Sequence, residues 1–177
     1  MNTLSPPVGP HDHSEGPADA PLTLVEYGDF QCPYCGAMYE VVKSVQHALG
    51  KNLKFVFRQF PLTQLHEHAL HAAEFAEAAA ALGKFWQAHA MLFENQNSLG
   101  DRALADYATR LAIPTAALES AFAGEFDERI QRDFSGGLRS GVQGTPTLFI
   151  NGRLYSGERD AKGLLDALLA VSEDSAR

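Results

Sequence analysis

Cationic residues are too few in this sequence for several classes of protein. It contains 14 Lys and Arg against 22 Asp and Glu, so the formal net charge is -8. Binding to nucleic acid neutralises phosphates and therefore needs a surplus of cationic side chains. Docking on anionic lipid has the same requirement. The charge balance thus argues against both nucleic acid and a membrane surface as partners.

Long hydrophobic runs are absent as well. No apolar stretch approaches the ~20 residues of a membrane-spanning helix, and no membrane partner is expected. The first 20 residues lack the basic start and apolar centre of a signal peptide. If this N-terminus is the native one, we expect a cytoplasmic protein. A trimmed mature chain would look the same and would be exported.

Residues 1–20 show no hydrophobic period. They are rich in Pro, Gly, His and Asp, and we interpret them as a flexible N-terminal arm. The length of 177 residues suits one compact domain, which we place at residues 21–172.

Cysteine is scarce. The two cysteines both lie in the run Cys32-Pro33-Tyr34-Cys35. A disulfide between them would close a loop too short to stabilise a fold, so the pair serves chemistry or metal binding. Structural zinc takes a tetrahedral set of ligands. With no second Cys-x-x-Cys, zinc is disfavoured except in a site shared between two copies, and no resident metal or cofactor is predicted.

The first third of the chain has the pattern of a βαβ unit. Short strand-like runs at residues 22–27 and 53–60 flank an amphipathic helix at residues 33–49. Two strands joined in this way are expected to run parallel, with a right-handed crossover.

The rest of the chain changes character twice. From about residue 65 to residue 140 it has no strand pattern and is predicted to be an all-helical insertion. A hairpin with the two-residue turn Asn151-Gly152 and a helix at residues 162–171 follow. The predicted fold is therefore α/β, with a central mixed sheet in the order βαβ, helical insertion, ββα.

Four motifs follow one another along the chain: residues 26–36, Phe60-Pro61-Leu62, Gly83-Lys84-Phe85-Trp86 and Gly144-Thr145-Pro146-Thr147. Together they resemble the DsbA-like branch of the thioredoxin superfamily, over about residues 19–169. The N-terminal region at residues 12–21 is similar to a subgroup of soluble DsbA-like proteins and to domains fused to some antiporters. The resemblance implies a thioredoxin-like fold and an enzyme that exchanges disulfides with protein thiols and a redox partner.

The position of the two cysteines gives them different roles. Cys32 precedes the predicted helix, where free N–H groups and the helix dipole favour an anion and lower the pKa of a thiol. Pro33 fits the first helical turn, and Cys35 lies about one turn deeper. We predict Cys32 as the attacking nucleophile and Cys35 as the resolving thiol, with a mixed disulfide between them and substrate.

Three further residues receive roles from the resemblance. It implies that Glu26 lies beneath the disulfide and exchanges a proton with Cys35; the alternative is an exposed glutamate on an edge strand. It also implies that the Thr145-Pro146 bond is cis and faces the cysteines, with the backbone of Thr145 pairing with an extended substrate.

The histidines at 66, 68 and 71 are interpreted as solvated or helix-capping.

Two departures from the family pattern leave the direction of electron flow open. Pro33-Tyr34 is the dipeptide usual in glutaredoxins, and Thr145 replaces a Val or Ile of other branches. In a reducing cytoplasm a pair of moderate potential would act as a reductase. Two other functions stay open: a redox-inert metal-binding or adaptor module, and a glutaredoxin-like transferase for small thiols.

Overall fold

A mixed β-sheet organises the part of the chain that the computed structural model describes, residues 2–175. The strands are β1 (His13–Glu15), β2 (Leu22–Gly28), β3 (Leu53–Gln59), β4 (Thr147–Ile150) and β5 (Arg153–Leu154). β2 and β3 are parallel and the other neighbouring strands are antiparallel, which confirms the predicted mixed sheet. Their order across the sheet is β1-β3-β2-β4-β5.

Helix α1 (Pro33–Leu49) connects the two central strands. Pro33 lies at its first position, where a missing N–H costs little, and Gly50 ends it with φ of 51°. The buried residues of α1 recur every three or four positions, so that one face packs on the sheet; they include Cys35, Met38, Val42, Val45 and Leu49.

The central strands are buried on both faces. Leu24 and Phe57 belong to the core cluster beneath α1, whereas Val25 and Tyr27 belong to a second cluster on the opposite face. Because side chains alternate along a strand, Glu26 projects to the same face as Leu24. This places a carboxyl group under the helix that carries both cysteines.

The predicted helical insertion is present between β3 and β4. It comprises α2 (Ala69–Ala80), α3 (Phe85–Glu94), α4 (Asp101–Arg110), α5 (Thr115–Phe122) and α6 (Asp127–Arg139). Helix α2 packs on α3, α4 and α5, α3 also packs on α1, and α6 packs on β3. A further helix, α7 (Ala161–Ser175), follows β5 and packs on α1.

The hairpin β4–β5 follows the turn chemistry of its sequence. Asn151 and Gly152 both have positive φ, 45° and 79°, as a type I′ turn requires. The second strand is short: Arg153 pairs with Ile150 and Leu154 with Phe149 of β4.

The structure differs from the flexible arm expected for residues 1–20. Thr3 pairs with Arg153, Leu4 is buried, and β1 adds an edge strand to β3. A distant residue explains this packing. The buried guanidinium of Arg58 on β3 donates hydrogen bonds to Asp12 and to the carbonyl oxygens of Pro6 and Pro7. Contacts this distant leave no local periodicity in the sequence. Met1 lies outside the described residues.

Candidate active site

The two cysteines lie at the start of α1. Cys32 immediately precedes the helix, and Cys35 and Gly36 donate their backbone N–H groups to the carbonyl oxygen of Cys32, at 3.0 and 3.1 Å. Both cysteines are free thiols and both are buried, with 3% of Cys32 and 0% of Cys35 exposed. The predicted order, with Cys35 deeper than Cys32, is what the structure shows.

The surroundings of Cys32 make its thiol acidic. A hydrogen bond from the Cys35 thiol is the largest influence and outweighs the opposing effect of burial; Thr145 and the backbone N–H groups of Tyr34 and Cys35 add to it. Together these groups lower the pKa of Cys32 to about 5. At neutral pH Cys32 is therefore a thiolate, the form of cysteine that attacks disulfides.

Cys35 has the opposite environment. Burial, the hydrogen bond to Cys32 and the nearby charge of Glu26 all raise the pKa of its thiol well above the ordinary value. The backbone N–H of Asp29 lies 3.5 Å from the Cys35 Sγ. The pair thus consists of one thiolate and one protonated thiol that donates to it.

Glu26 is a buried residue on a central strand. It pairs in register with Phe57 of β3 and Leu148 of β4, and only 2% of its surface is exposed. This position is incompatible with an exposed edge-strand glutamate. Burial, followed by the negative charge of Cys32, raises the pKa of Glu26 to about 8.

The loop before β4 meets the cysteines from the other side. The Thr145–Pro146 peptide bond is cis, and the carbonyl oxygen of Thr145 lies 3.5 Å from the Cys32 Sγ. The structure therefore brings Thr145 next to the two cysteines, although it lies 113 positions after Cys32 in the sequence. Tyr34, between the cysteines, is largely exposed.

Asp29 is a site residue that sequence reasoning missed. Its buried carboxylate accepts hydrogen bonds from the backbone N–H groups of Gln31 and Leu62, at 2.8 and 2.9 Å. His66 Nδ1 lies 2.8 Å from the same carboxylate, so the imidazole binds Asp29 and does not cap a helix, although 20% of the side chain is exposed. The signal available was the acidic residue three positions before Cys32, in a turn between a strand and a helix.

Gln96 is a second residue that no sequence signal marks. Its Nε2 donates to the carbonyl oxygens of Phe30 and Cys32, at 2.8 and 2.9 Å. It lies just beyond α3, far from the cysteines in sequence. Asp29 and Gln96 together hold the turn that presents Cys32.

The other histidines of the predicted cluster are separate from the cysteines. His71 Nδ1 lies 2.6 Å from Asp101, and His68 contributes its backbone N–H to Gln31. Within residues 2–175, no group of three or more His, Cys, Asp or Glu side chains is arranged to hold a metal ion. Nor does any helix in this range combine the length and apolar character needed to cross a bilayer.

The fold and the dithiol site define a class: they are those of a thioredoxin-like protein. A family model described as "Thioredoxin" matches residues 9–169. The chain belongs to this thioredoxin family, as the sequence motifs predict.

Two solved structures illustrate the likeness. BdbD from Bacillus subtilis superposes with a TM-score of 0.78 at 22% identity, with 90% of this chain and 92% of that chain covered. A thioredoxin-like oxidoreductase from Silicibacter pomeroyi DSS-3 superposes with a TM-score of 0.78 at 25% identity, covering 96% of this chain and 94% of that one.

A relative of a different name shares more of the sequence. The Na(+)/H(+) antiporter NhaA 1 of Salinispora arenicola (strain CNS-205) is 41% identical over 170 residues, which cover 95% of this chain. The matching region is only 26% of the antiporter. The present chain is thus similar to one part of a much longer protein.

Proposed function

We propose that the protein is an enzyme that exchanges disulfides with protein substrates through Cys32 and Cys35. The observation that carries this proposal is the unequal acidity of the pair. A thiolate with a pKa of about 5 lies in hydrogen-bonding contact with a buried thiol of raised pKa. An attacking group and a resolving group are therefore distinguished before any substrate binds.

The exchange takes place in two steps. The Cys32 thiolate attacks one sulfur of a substrate disulfide, forms a mixed disulfide and releases the other substrate sulfur as a thiolate. Cys35, after losing its proton, attacks the Cys32 Sγ and releases the second substrate sulfur. The substrate gains two electrons and the Cys32–Cys35 disulfide forms; the reverse sequence oxidises a substrate dithiol.

Glu26 is the proton acceptor in this proposal. While Cys32 is a thiolate, its negative charge helps to keep Glu26 protonated. Formation of the mixed disulfide removes that charge, so the carboxyl group ionises more readily. A base thus becomes available beside Cys35 at the step in which the Cys35 thiol must lose a proton.

The backbone of Thr145 is the proposed substrate contact. Its carbonyl oxygen lies next to the Cys32 Sγ, and β4 begins two residues later. An extended peptide bonded to Cys32 would run past this backbone and could pair with it as an added strand.

The acidity of Cys32 also supports a direction. A thiolate stabilises the dithiol form, which makes the disulfide form a stronger oxidant. A pKa of about 5 lies between the values of about 7 and about 3.5 typical of thioredoxin and DsbA. We therefore propose a reduction potential above the thioredoxin value of about -270 mV, which favours an oxidising role over the reductase role considered from the sequence.

Equilibration with glutathione redox buffers tests this potential, and insulin reduction together with oxidation of a dithiol peptide tests the activity. We expect both reactions in the wild type, loss of both in Cys32→Ser, and trapped mixed disulfides in Cys35→Ser. Absence of exchange in the wild type, with Cys32→Ser indistinguishable from it, would overturn the proposal. Metal bound through both sulfurs in anaerobically purified protein would instead support the metal-binding alternative.

A further inference from the structure

A cavity beneath the active site connects buried Glu26 with the protein surface. It lies between α1 and α3 and has a volume of about 240 Å³. Its lining includes the buried side chains of Glu26 and His89, and also Glu15 and Lys43, which are exposed. A route therefore exists from the carboxyl group under the cysteines to solvent.

Two polar atoms in the lining residues have no protein partner. Among the described residues, none forms a hydrogen bond with Oε1 of Glu26 or with Nε2 of His89, and both atoms are buried. Buried polar atoms without a protein partner are usually satisfied by ordered water. The cavity is large enough for several water molecules, each of which needs only a small part of this volume.

His89 is otherwise surrounded by aromatic rings. The ring centres of Phe57, Phe93 and Trp86 lie 4.8, 4.9 and 5.1 Å from that of His89. Burial, followed by the charge of nearby His13, lowers the pKa of His89 to about 3. The imidazole is therefore neutral at physiological pH and offers one donor and one acceptor nitrogen.

We propose that His89 is a positioning residue of this site: it holds water in the cavity against Glu26, and this water carries the proton of Cys35 from Glu26 to solvent. The inference rests on the proposed disulfide exchange and adds the path of the proton. No earlier step requires His89.

The atoms and electrons of the step balance within the protein and its substrate. The S–H bond of Cys35 breaks and its proton moves to the carboxylate of Glu26. The electron pair left on Cys35 forms the bond to the Cys32 Sγ, and the bond between Cys32 and the substrate sulfur breaks with release of a substrate thiolate. Glu26 then gives the proton to cavity water, which transfers a proton to solvent at the rim.

Charged and titratable groups from several elements surround this path. Glu15 and His13 approach from β1, and Tyr39 and Lys43 from α1. His13 is held 2.9 Å from Glu77 of α2, and the hydroxyl of Tyr39 is bonded to Glu94. At the exposed rim, Gln46 donates to Glu15 and Lys43 lies 3.8 Å from Glu40. Glu26 and His89 are thus the lining residues with a buried polar atom that no described residue binds.

Stopped-flow reaction with excess 5,5′-dithiobis(2-nitrobenzoate) separates the two thiols. The first thionitrobenzoate is released by attack of Cys32, at a rate that depends on reagent concentration. The second is released by Cys35 from the mixed disulfide, at a rate independent of that concentration. The second phase therefore reports the step in which Cys35 loses its proton.

We expect His89→Phe, which keeps an aromatic ring, to slow the second phase about tenfold or more and to change its pH profile, since proton transfer typically contributes about 10²–10⁴ to a rate. The first phase should remain unchanged. His89→Gln retains hydrogen-bonding groups and should recover much of the rate. His47→Phe, the same replacement at an exposed position of α1 outside the cavity, should behave as wild type.

A double variant provides the decisive comparison. If both residues act on one path, Glu26→Gln/His89→Phe should be no slower than Glu26→Gln alone. A second phase in His89→Phe at the wild-type rate, equal slowing of both phases, or His89→Gln as slow as His89→Phe would overturn the inference while leaving the proposed function intact. A wild-type protein that shows no second phase would overturn both. Thermal unfolding of each variant verifies that it is folded.

Discussion

Nδ1 of His66 lies 2.8 Å from Oδ2 of Asp29, and this pair ties the loop after β3 to the turn that precedes the cysteines. The same carboxylate binds the backbone of Gln31 and Leu62, and the backbone N–H of Asp29 contacts the sulfur of Cys35. One buried side chain thereby joins two loops at the candidate active site.

Replacement of Asp29 should destabilise the protein substantially. Asp29→Ala leaves buried backbone donors without an acceptor, and hydrogen bonds to a charged group are worth about 1.5–3 kcal/mol each. We expect a loss of about 3 kcal/mol in the free energy of unfolding, measured by urea denaturation, and about 1 kcal/mol for His66→Ala. Exposed Asp106 provides the control, since Asp106→Ala should change the value by less than about 0.5 kcal/mol. Equal effects of Asp29→Ala and Asp106→Ala would contradict this interpretation.

The acidity of Cys32 should depend on the side chain at position 35. The hydrogen bond from Cys35 is the first cause of the low pKa of Cys32. Cys35→Ala removes the donor, so we expect the pKa to rise from about 5 towards the ordinary value of about 8.5. Cys35→Ser keeps a hydroxyl donor and should stay closer to wild type. Thiolate absorbance as a function of pH gives both values, and an unchanged titration in Cys35→Ala would show that another group controls Cys32.

Neutralising Glu26 should stabilise the protein in alkaline solution. The pKa of Glu26 is raised to about 8 by burial, whereas an unfolded glutamate titrates near about 4.3. The stabilising contribution of a group with a raised pKa is full below the unfolded pKa and is lost as the pH rises through the folded pKa. Glu26→Gln removes this loss, so its advantage should grow between about pH 4 and pH 8, to a few kcal/mol at about 1.36 kcal/mol per pH unit.

Chemical denaturation at pH 5, 7 and 9 measures this advantage. Exposed Glu67 provides the matched control, because Glu67→Gln should show no such trend. A stability difference between Glu26→Gln and wild type that does not vary with pH would refute the assignment of a protonated buried Glu26.

The ion pair of Arg58 and Asp12 should make the N-terminal segment sensitive to acid. Burial alone would raise the pKa of Asp12, but hydrogen bonds from Arg58 and Gly9 outweigh it and hold the pKa below the ordinary value. The stability from a group with a depressed pKa is present above the unfolded pKa of about 3.9 and is lost as the pH falls through the folded pKa.

We therefore expect Asp12→Asn to lower the free energy of unfolding by about 3 kcal/mol at pH 7, as for a broken buried ion pair. The difference from wild type should shrink below about pH 4, where the unfolded chain takes up a proton at Asp12, until the pH falls through the lower folded pKa. Urea denaturation at pH 7 and pH 3 measures both values. Asp19→Asn, at an exposed position, should have little effect at either pH.

Gly36 and Gln96 should be energetically coupled. A Cβ at position 36 would overlap the amide of Gln96 and displace it from the carbonyl oxygens of Phe30 and Cys32. Gly36→Ala should therefore destabilise the wild type by about 1 kcal/mol. In a Gln96→Ala background the clash is gone and the helix propensity of alanine should stabilise the protein by about 1 kcal/mol. Thermal unfolding of the four proteins tests this reversal, and the same sign in both backgrounds would exclude it.

The local features of the fold were predictable because they depend on residues close together in sequence. The apolar period of α1, its start at Pro33 and its end at Gly50 follow from nearest-neighbour geometry, as does the Asn151-Gly152 turn. Cys32 and Cys35 share one helical turn, so their unequal depth follows from the helix alone. The position of Thr145 beside them was expected only through the family resemblance, since no local rule connects residues 113 positions apart.

The sequence by itself determined the order of elements after residue 20 and the pair of cysteines, because hydrophobic period and turn chemistry act over a few residues. Only the tertiary structure decided how the N-terminal segment packs and that Asp29 binds His66. It also decided that Gln96 and His89 lie near the active site. These features depend on where distant segments cross. Burial, the main cause of the shifted pKa values of Glu26 and His89, exists only after the core has closed around them.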